Sequence, residues 1–257
     1  MGKIFESQQI QKVKSLQEQV LDLQQLIVQH YLLLYSENIP EIKLKVQKFA
    51  DFMERHIHTN PSGVDVAISL NGGFLKFLRG PTPSQNVLQF LEIDQQVKEQ
   101  IQMILVNTNK PRNSKTTIEA VMNLKNDDFE RFTQIMNQIG NITYQITQIY
   151  MGQESNNQST QENTQKLMLL INQNQILLQD LGVSCDEIQQ ILKHMEEFNY
   201  CGKLTGAGGG GCVIGFCKQS DFNSEKLVKL QEKLEESGFS LSSNIENSNQ
   251  GFNFQFI

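Results

Sequence analysis

The chain has 257 residues, 39% of them hydrophobic and 19% charged, with a formal net charge of −6. That is enough apolar material for the core of one large domain or two small ones. The acid excess leaves no basic face for a nucleic-acid backbone and no polybasic cluster for an anionic membrane.

Met1 to Glu6 leads into a glutamine-rich run with no apolar signal region, and position 6 lacks the Ser or Thr of a myristoylation signal. Residues 7 to 35 place Ile10, Val13, Leu16, Val20, Leu23 and Ile27 three or four apart, which predicts an amphipathic helix that packs on the rest of the fold. Its most apolar part, Leu26-Ile27-Val28, is broken by Gln29 and His30, far short of the roughly 20 residues a membrane helix needs. Pro40 suits the first turn of a second helix, whose apolar face is Ile42, Val46, Phe49, Ala50, Met53 and Ile57. Glu54 sits at the edge of that stripe. Val66 to Leu70 is apolar, Asn71-Gly72-Gly73 marks a turn, and Phe74 to Leu78 reads as a strand before Pro81 and Pro83.

Ile101 to Val106 predicts a strand stopped by Pro111, and apolar residues from Phe129 to Ile149 recur on a helical period. Gly152 to Asn163 holds no apolar residue and reads as a loop. Leu167 to Leu181 predicts a helix capped by Gly182, and Ser184 with Glu187 has capping-box spacing for the next. Cys212 to Cys217 reads as a buried strand, Glu225 to Glu236 as an amphipathic helix and Phe252 to Ile257 as a last strand. Long helices interleaved with a few strands predict an α+β fold. Cys185, Cys201, Cys212 and Cys217 form no CxxC pair and have no His at zinc-ligand spacing, which predicts reduced thiols in a cytoplasmic protein.

Three segments carry chemistry. In Lys203-Leu204-Thr205-Gly206-Ala207-Gly208-Gly209-Gly210-Gly211-Cys212, five glycines in six positions place bare backbone against a ligand or a neighbouring loop. In Asn60-Pro61-Ser62-Gly63-Val64-Asp65, a turn presents a carboxylate able to accept a hydroxyl proton; a helix-capping Asp is the equal alternative. In Asn107-Thr108-Asn109-Lys110-Pro111-Arg112-Asn113-Ser114, a guanidinium after a stiff proline can clamp a carboxylate bidentately or pair on the surface with an acid. His56 and His58 read as structural residues.

In this order and wording the three segments resemble the later motifs of the GHMP small-molecule kinases, most of all those of the mevalonate kinases. The resemblance implies a GHMP kinase-like α+β fold, with residues 1–97 the remnant of an amino-terminal domain and 98–257 a carboxy-terminal domain. It implies ATP and Mg²⁺ as cofactors, mevalonate as substrate, a role in isoprenoid synthesis, and no nucleic-acid or membrane partner; a homodimer stays open. By the same resemblance Asp65 is the base that takes the substrate's hydroxyl proton, and Glu54, eleven residues upstream, helps hold the metal. Ile57, Arg112, Ser114 and Ala207 are then substrate-binding. Ser114 stands where the family has threonine and keeps a hydroxyl. Gly206, Gly208, Gly209, Gly210 and Gly211 form the loop beside the active site.

Such kinases also carry an early lysine and a phosphate-cradling loop of the form PxxxGLGSSA. Neither occurs in residues 1–53, and no GxxxxGK[ST] replaces them. The resemblance begins near Val46, so the chain is expected to correspond to the carboxy-terminal part of such a kinase. Another GHMP kinase, such as a phosphomevalonate kinase, and a non-catalytic binding or regulatory remnant are the other open readings.

Overall fold

A computed structural model of the protein describes residues 39–57, 62–82, 85–111, 114–153, 159–243 and 245. The helix expected over 7–35 and the strand expected over Phe252 to Ile257 lie outside these residues. The chain divides after Gln89 into two compact units, and each is described by itself.

The first unit opens with helix α1, Ile39–Ile57. Its stripe behaves as the spacing predicts: Ile42 is buried and Val46, Phe49, Ala50 and Met53 are half-buried, whereas Leu44 and Phe52 on other faces are exposed. α1 packs on the short helix α2, Val64–Asn71, through whose length Val66, Ala67 and Leu70 are buried. The apolar segment after Asp65 is therefore a helix. It stops where Gly72 and Gly73 take left-handed φ values of 68° and 77°, and the Gly72 N–H donates to the Ile68 carbonyl at 2.7 Å. Strand β1, Phe74–Leu78, follows that turn and pairs with β2, Val87–Leu91.

The second unit is built on a four-stranded antiparallel sheet in the order β4-β5-β3-β6, with β3 Ile101–Asn107, β4 Cys201–Leu204, β5 Cys212–Lys218 and β6 Ser240–Ser242. β3 and β5 pair along their length, from Ile101 opposite Lys218 to Asn107 opposite Cys212. Five helices dress this sheet and a short one, α3 (Gln95–Glu99), leads into it: α4 Ser114–Asp127, α5 Phe129–Tyr150, α6 Thr160–Asp180, α7 Asp186–Glu197 and α8 Ser224–Glu236. Neighbouring residues on a strand point to opposite faces. A Cβ on Gly202 would lie 2.5 Å from Met195 Cε, so that face carries α7; Cys201 Sγ lies 3.1 Å from Met168 Sδ, so the other carries α6. Ile104, Val106, Leu204 and Val213 of the sheet, Leu167 of α6, Ile188, Ile191 and Met195 of α7, and Leu230 and Leu234 of α8 are all but fully buried in one core.

Two local expectations fail here. α6 starts seven residues before Leu167, because Ser159 and Glu162 form a reciprocal capping box that turns polar residues into a first turn. Ser184 and Glu187 form no such box: the N-cap of α7 is Cys185, without a side-chain cap, and the Glu187 carboxylate is engaged elsewhere. Strands β4 and β6, of four and three residues, are too short to show a period in the sequence.

Candidate active site

The glycine segment is the turn of the hairpin that joins β4 to β5. β4 and β5 are in register from Cys201 opposite Phe216 to Leu204 opposite Val213, and the Thr205 N–H and Oγ1 both donate to the Cys212 carbonyl at 3.0 and 2.9 Å. Beyond that closing pair the chain runs through Gly206, Gly208, Gly209, Gly210 and Gly211 with φ between 66° and 136°. A run of left-handed residues of this kind is open only to glycine.

Close approach is the second demand. A Cβ on Gly208 would sit 2.0 Å from the Val183 carbonyl oxygen, and one on Gly210 would sit 2.9 Å from the Lys110 carbonyl oxygen. The hairpin lies in a slot between two other segments, the turn after β3 and the loop between α6 and α7. Hydrogen bonds hold it from both sides. Gly209 N–H donates to Val183 O at 2.9 Å, Gly211 N–H donates to Lys110 O at 3.1 Å, and Thr108 N–H donates to Gly211 O at 2.8 Å. Gly206 and Ala207 form the exposed tip.

The turn after β3 is itself built. Asn109 takes a left-handed φ of 54°, its N–H donates to Asn107 Oδ1 at 3.0 Å, and its amide donates to Gly238 O and Ser240 Oγ at 2.8 and 2.9 Å. Thr108, 4% exposed, accepts the Lys110 N–H on Oγ1 at 3.2 Å. Lys110 Nζ donates to both oxygens of Glu187, each at 2.8 Å, across 77 residues of sequence. The ammonium holds the Glu187 carboxyl down to about 2, and the carboxylate in turn raises Lys110. Thus the segment leading to Arg112 and the glycine segment, far apart in sequence, meet in one place. The Arg112 residue and the Ser114 side chain lie outside the described residues; the Ser114 backbone opens α4.

Lys203, at the base of the hairpin, is pushed below the usual lysine range by burial, and its Nζ donates to the Leu204 carbonyl at 2.9 Å. The Leu204 N–H, on the outer edge of β4, donates to Gln175 Oε1 of α6 at 2.9 Å, which covers that edge.

In the first unit Asp65 is the second residue of α2 and is exposed. It is not the cap. Gly63 holds the N-cap position in a left-handed φ of 76°, and Ser62 Oγ accepts the Val64 N–H at 3.3 Å. The carboxylate is thus left to the field of the helix start, which favours a negative charge. Glu54 is half-buried on α1, the helix that packs on α2. Asn60, Pro61 and His58 and the Ile57 side chain lie outside the described residues, though the Ile57 backbone closes α1. His56 has the structural place expected of it: Nδ1 is 3.0 Å from the Phe52 carbonyl oxygen, and its ring lies 4.3 Å from that of Phe52.

Among the described residues no three of His, Cys, Asp or Glu cluster as a metal site. One carboxylate is still the donor set that Mg²⁺ asks for when nucleotide phosphates supply further oxygens. Glu54, a hard oxygen donor on a helix, fits that demand. The positions that sequence reasoning missed are Val183, whose carbonyl holds the hairpin from the loop between α6 and α7, and Glu187, which pairs with Lys110 from α7; nothing near them in the sequence refers to the glycines.

Residues 156–241 match the family of GHMP kinases C-terminal domains. The chain is 30% identical over 181 residues to the mevalonate kinase of Schizosaccharomyces pombe and 35% identical over 180 residues to that of Mus musculus. These alignments cover 69% and 70% of this chain but 43% and 42% of the relatives, so the chain spans less than half of their length. Among solved structures, that of L. major mevalonate kinase in complex with R-mevalonate has a TM-score of 0.60 at 19% identity, over 78% of this chain and 55% of that one. Streptococcus pneumoniae phosphomevalonate kinase in complex with phosphomevalonate and AMPPNP has a TM-score of 0.58 at 13% identity, over 84% of this chain and 64% of that one. At these identities the structures show a shared fold.

Proposed function

We propose that this chain, which carries the C-terminal domain of the GHMP kinases and is a homologue of the mevalonate kinases, supplies the substrate-facing part of a kinase that phosphorylates the hydroxyl of mevalonate from Mg·ATP. The observation that carries this reading is the joining of two of its three motif segments. Gly211 N–H donates to Lys110 O, so the turn from Asn107 to Pro111 and the glycine hairpin are bound to each other.

In this reading the Arg112 guanidinium binds the substrate carboxylate in a two-pronged pair, Ser114 adds a hydroxyl contact, and Ala207 and Ile57 shape the pocket. Gly208 to Gly211 let the hairpin seat in its slot, and Gly206 lets the tip approach the reacting groups without a Cβ in the way. Asp65 orients the substrate hydroxyl and receives its proton as the oxygen bonds to the γ-phosphorus and the bond to ADP breaks. An alcohol need not be ionised beforehand, because the proton leaves late in a loose transition state. Glu54 would hold Mg²⁺, which when bound neutralises charge on the nucleotide phosphates. The nucleotide side also needs a phosphate-cradling loop, and residues 1–53 contain none of the form PxxxGLGSSA. A cytoplasmic setting belongs to this reading. A homodimer is compatible with this assignment.

The test is phosphoryl transfer to mevalonate by the purified chain, alone and joined to the amino-terminal domain of a mevalonate kinase. With that domain present, Asp65→Ala should slow transfer by about 10²- to 10⁴-fold, the usual worth of a positioned base. Equal rates with and without Asp65 would remove the base assignment, and turnover of phosphomevalonate alone would select the sister activity.

A further inference from the structure

The glycine hairpin is held by two separate jaws. One is the turn after β3, through Lys110 O and the Thr108 N–H; the other is the loop before α7, through Val183 O. Both jaws bond to the hairpin by backbone alone, and neither adjoins it in sequence. The Lys110 side chain joins the two. It leaves the first jaw and reaches Glu187, in the first turn of α7 and four residues past Val183, with both carboxylate oxygens at 2.8 Å. The result is a closed circuit: Lys110 to Gly211, through the hairpin to Gly209, to Val183, along the chain to Glu187 and back to Lys110.

The pair is open to water, with the Lys110 side chain 44% and that of Glu187 33% exposed. Such a contact contributes little to overall stability. A contact of small energetic worth that spans the two jaws acts on their separation, which sets how far the hairpin can slide or tilt.

We propose that the Lys110–Glu187 ion pair is a positioning clasp that fixes the slot of the glycine hairpin, and so sets the placement of the tip at Gly206 and Ala207. This rests on the reading of the hairpin as part of a kinase site. Lys110 and Glu187 are positioning residues, acting through the hairpin and through the turn that runs directly into Arg112 in sequence.

Amide hydrogen exchange of the full chain, followed by NMR at one fixed pH below neutrality, tests the clasp without any need for turnover. In Lys110→Met and in Glu187→Gln, the Gly209 and Gly211 amides should exchange about two- to fivefold faster, the size expected of an exposed pair, while the Leu204 amide held by Gln175 stays unchanged. Lys110→Arg, and the charge reversal Lys110→Glu with Glu187→Lys, should restore the slow exchange. Unmoved glycine amides in both single variants, or no recovery on charge reversal, would overturn the proposal. Because the readout is independent of phosphoryl transfer, a clasp that behaves as described in a protein that never phosphorylates mevalonate would count against the kinase reading alone.

Discussion

At the scale of single residues, charge and the absence of a side chain do different work around one hairpin. Glu187 is held at about 2 by the Lys110 ammonium, below the ordinary 4.5. A depressed carboxylate stabilises the folded form above its unfolded value and loses that contribution as pH falls through the folded one. Lys110, raised from 10.5, has the opposite sign: its contribution is complete below that value and is lost as pH rises through the raised one. The pair's contribution to stability is therefore complete from about pH 5 to about pH 10; below that range it is lost progressively as pH falls towards the native Glu187 value of about 2. NMR titration should place the Glu187 midpoint near 2 in the native protein and higher in Lys110→Met, where its own N–H and the Cys185 thiol still hold it down in part; a midpoint that does not move would mean the pair is not formed.

The glycines separate backbone strain from crowding. Gly238, with φ +84°, would meet nothing within 4 Å if given a Cβ, whereas Gly208, with φ +78°, would meet Val183 O at 2.0 Å. Gly238→Ala should cost about 1–2 kcal/mol, the strain of a left-handed alanine. Gly208→Ala adds an overlap with backbone that cannot rotate away, and about 3 kcal/mol or more is expected. Denaturant unfolding of the two variants measures the difference, and equal losses would mean that the slot is looser than described.

At the scale of elements, the β4-β5 hairpin stands on a floor of glycine and methionine. A Cβ on Gly215 would lie 2.4 Å from Met195 Cε and 2.7 Å from Ile104 Cγ1, and one on Gly202 would lie 2.5 Å from the same methionine carbon. Two strands thus give up side chains so that α7 can insert a fully buried Met195. Met195→Ala should cost about 2–5 kcal/mol as a cavity, and Gly215→Ala about 1–3 kcal/mol as overpacking. Since the added methyl would occupy the vacated space, the double variant should be more stable than the sum predicts by about 1 kcal/mol. Strict additivity would show that the two groups do not share that space.

The elements also show what a sequence can disclose. α1 and α5 were legible because their apolar residues keep a helical period over five turns or so; in α5 burial follows it at Ile135, Ile142 and Ile149 but not at the exposed Phe129 and Met136. β3 and β5 were legible as apolar runs closed by Pro111 and opened by glycines. The start of α6 was not, because Ser159 and Glu162 act through hydrogen bonds in a stretch with no apolar residue to mark it. At Ser184 and Glu187 the capping spacing is present, but the helix starts one residue later with Cys185 as its N-cap, Ser184 Oγ accepts from Gln189 Nε2 at 2.6 Å, and Glu187 pairs with Lys110. The glycine run disclosed that something must come close. What comes close, the carbonyls of Val183 and Lys110, is set by tertiary packing and has no local signature.

At the scale of the whole molecule, the motifs divide between the units. Glu54 and Asp65 stand on packed helices of the first, and the glycine hairpin and the turn leading to Arg112 form one surface of the second. The proposed function gives Arg112 the carboxylate of mevalonate. Binding of mevalonate needs no nucleotide loop, so it isolates the role proposed for Arg112. The direct measurement is calorimetric titration of the purified chain with R-mevalonate, beside Arg112→Ala. Saturable one-to-one binding is expected, weakened by about thirtyfold or more when the paired guanidinium is removed. No heat of binding to the chain, or equal affinity in the two proteins, would contradict it.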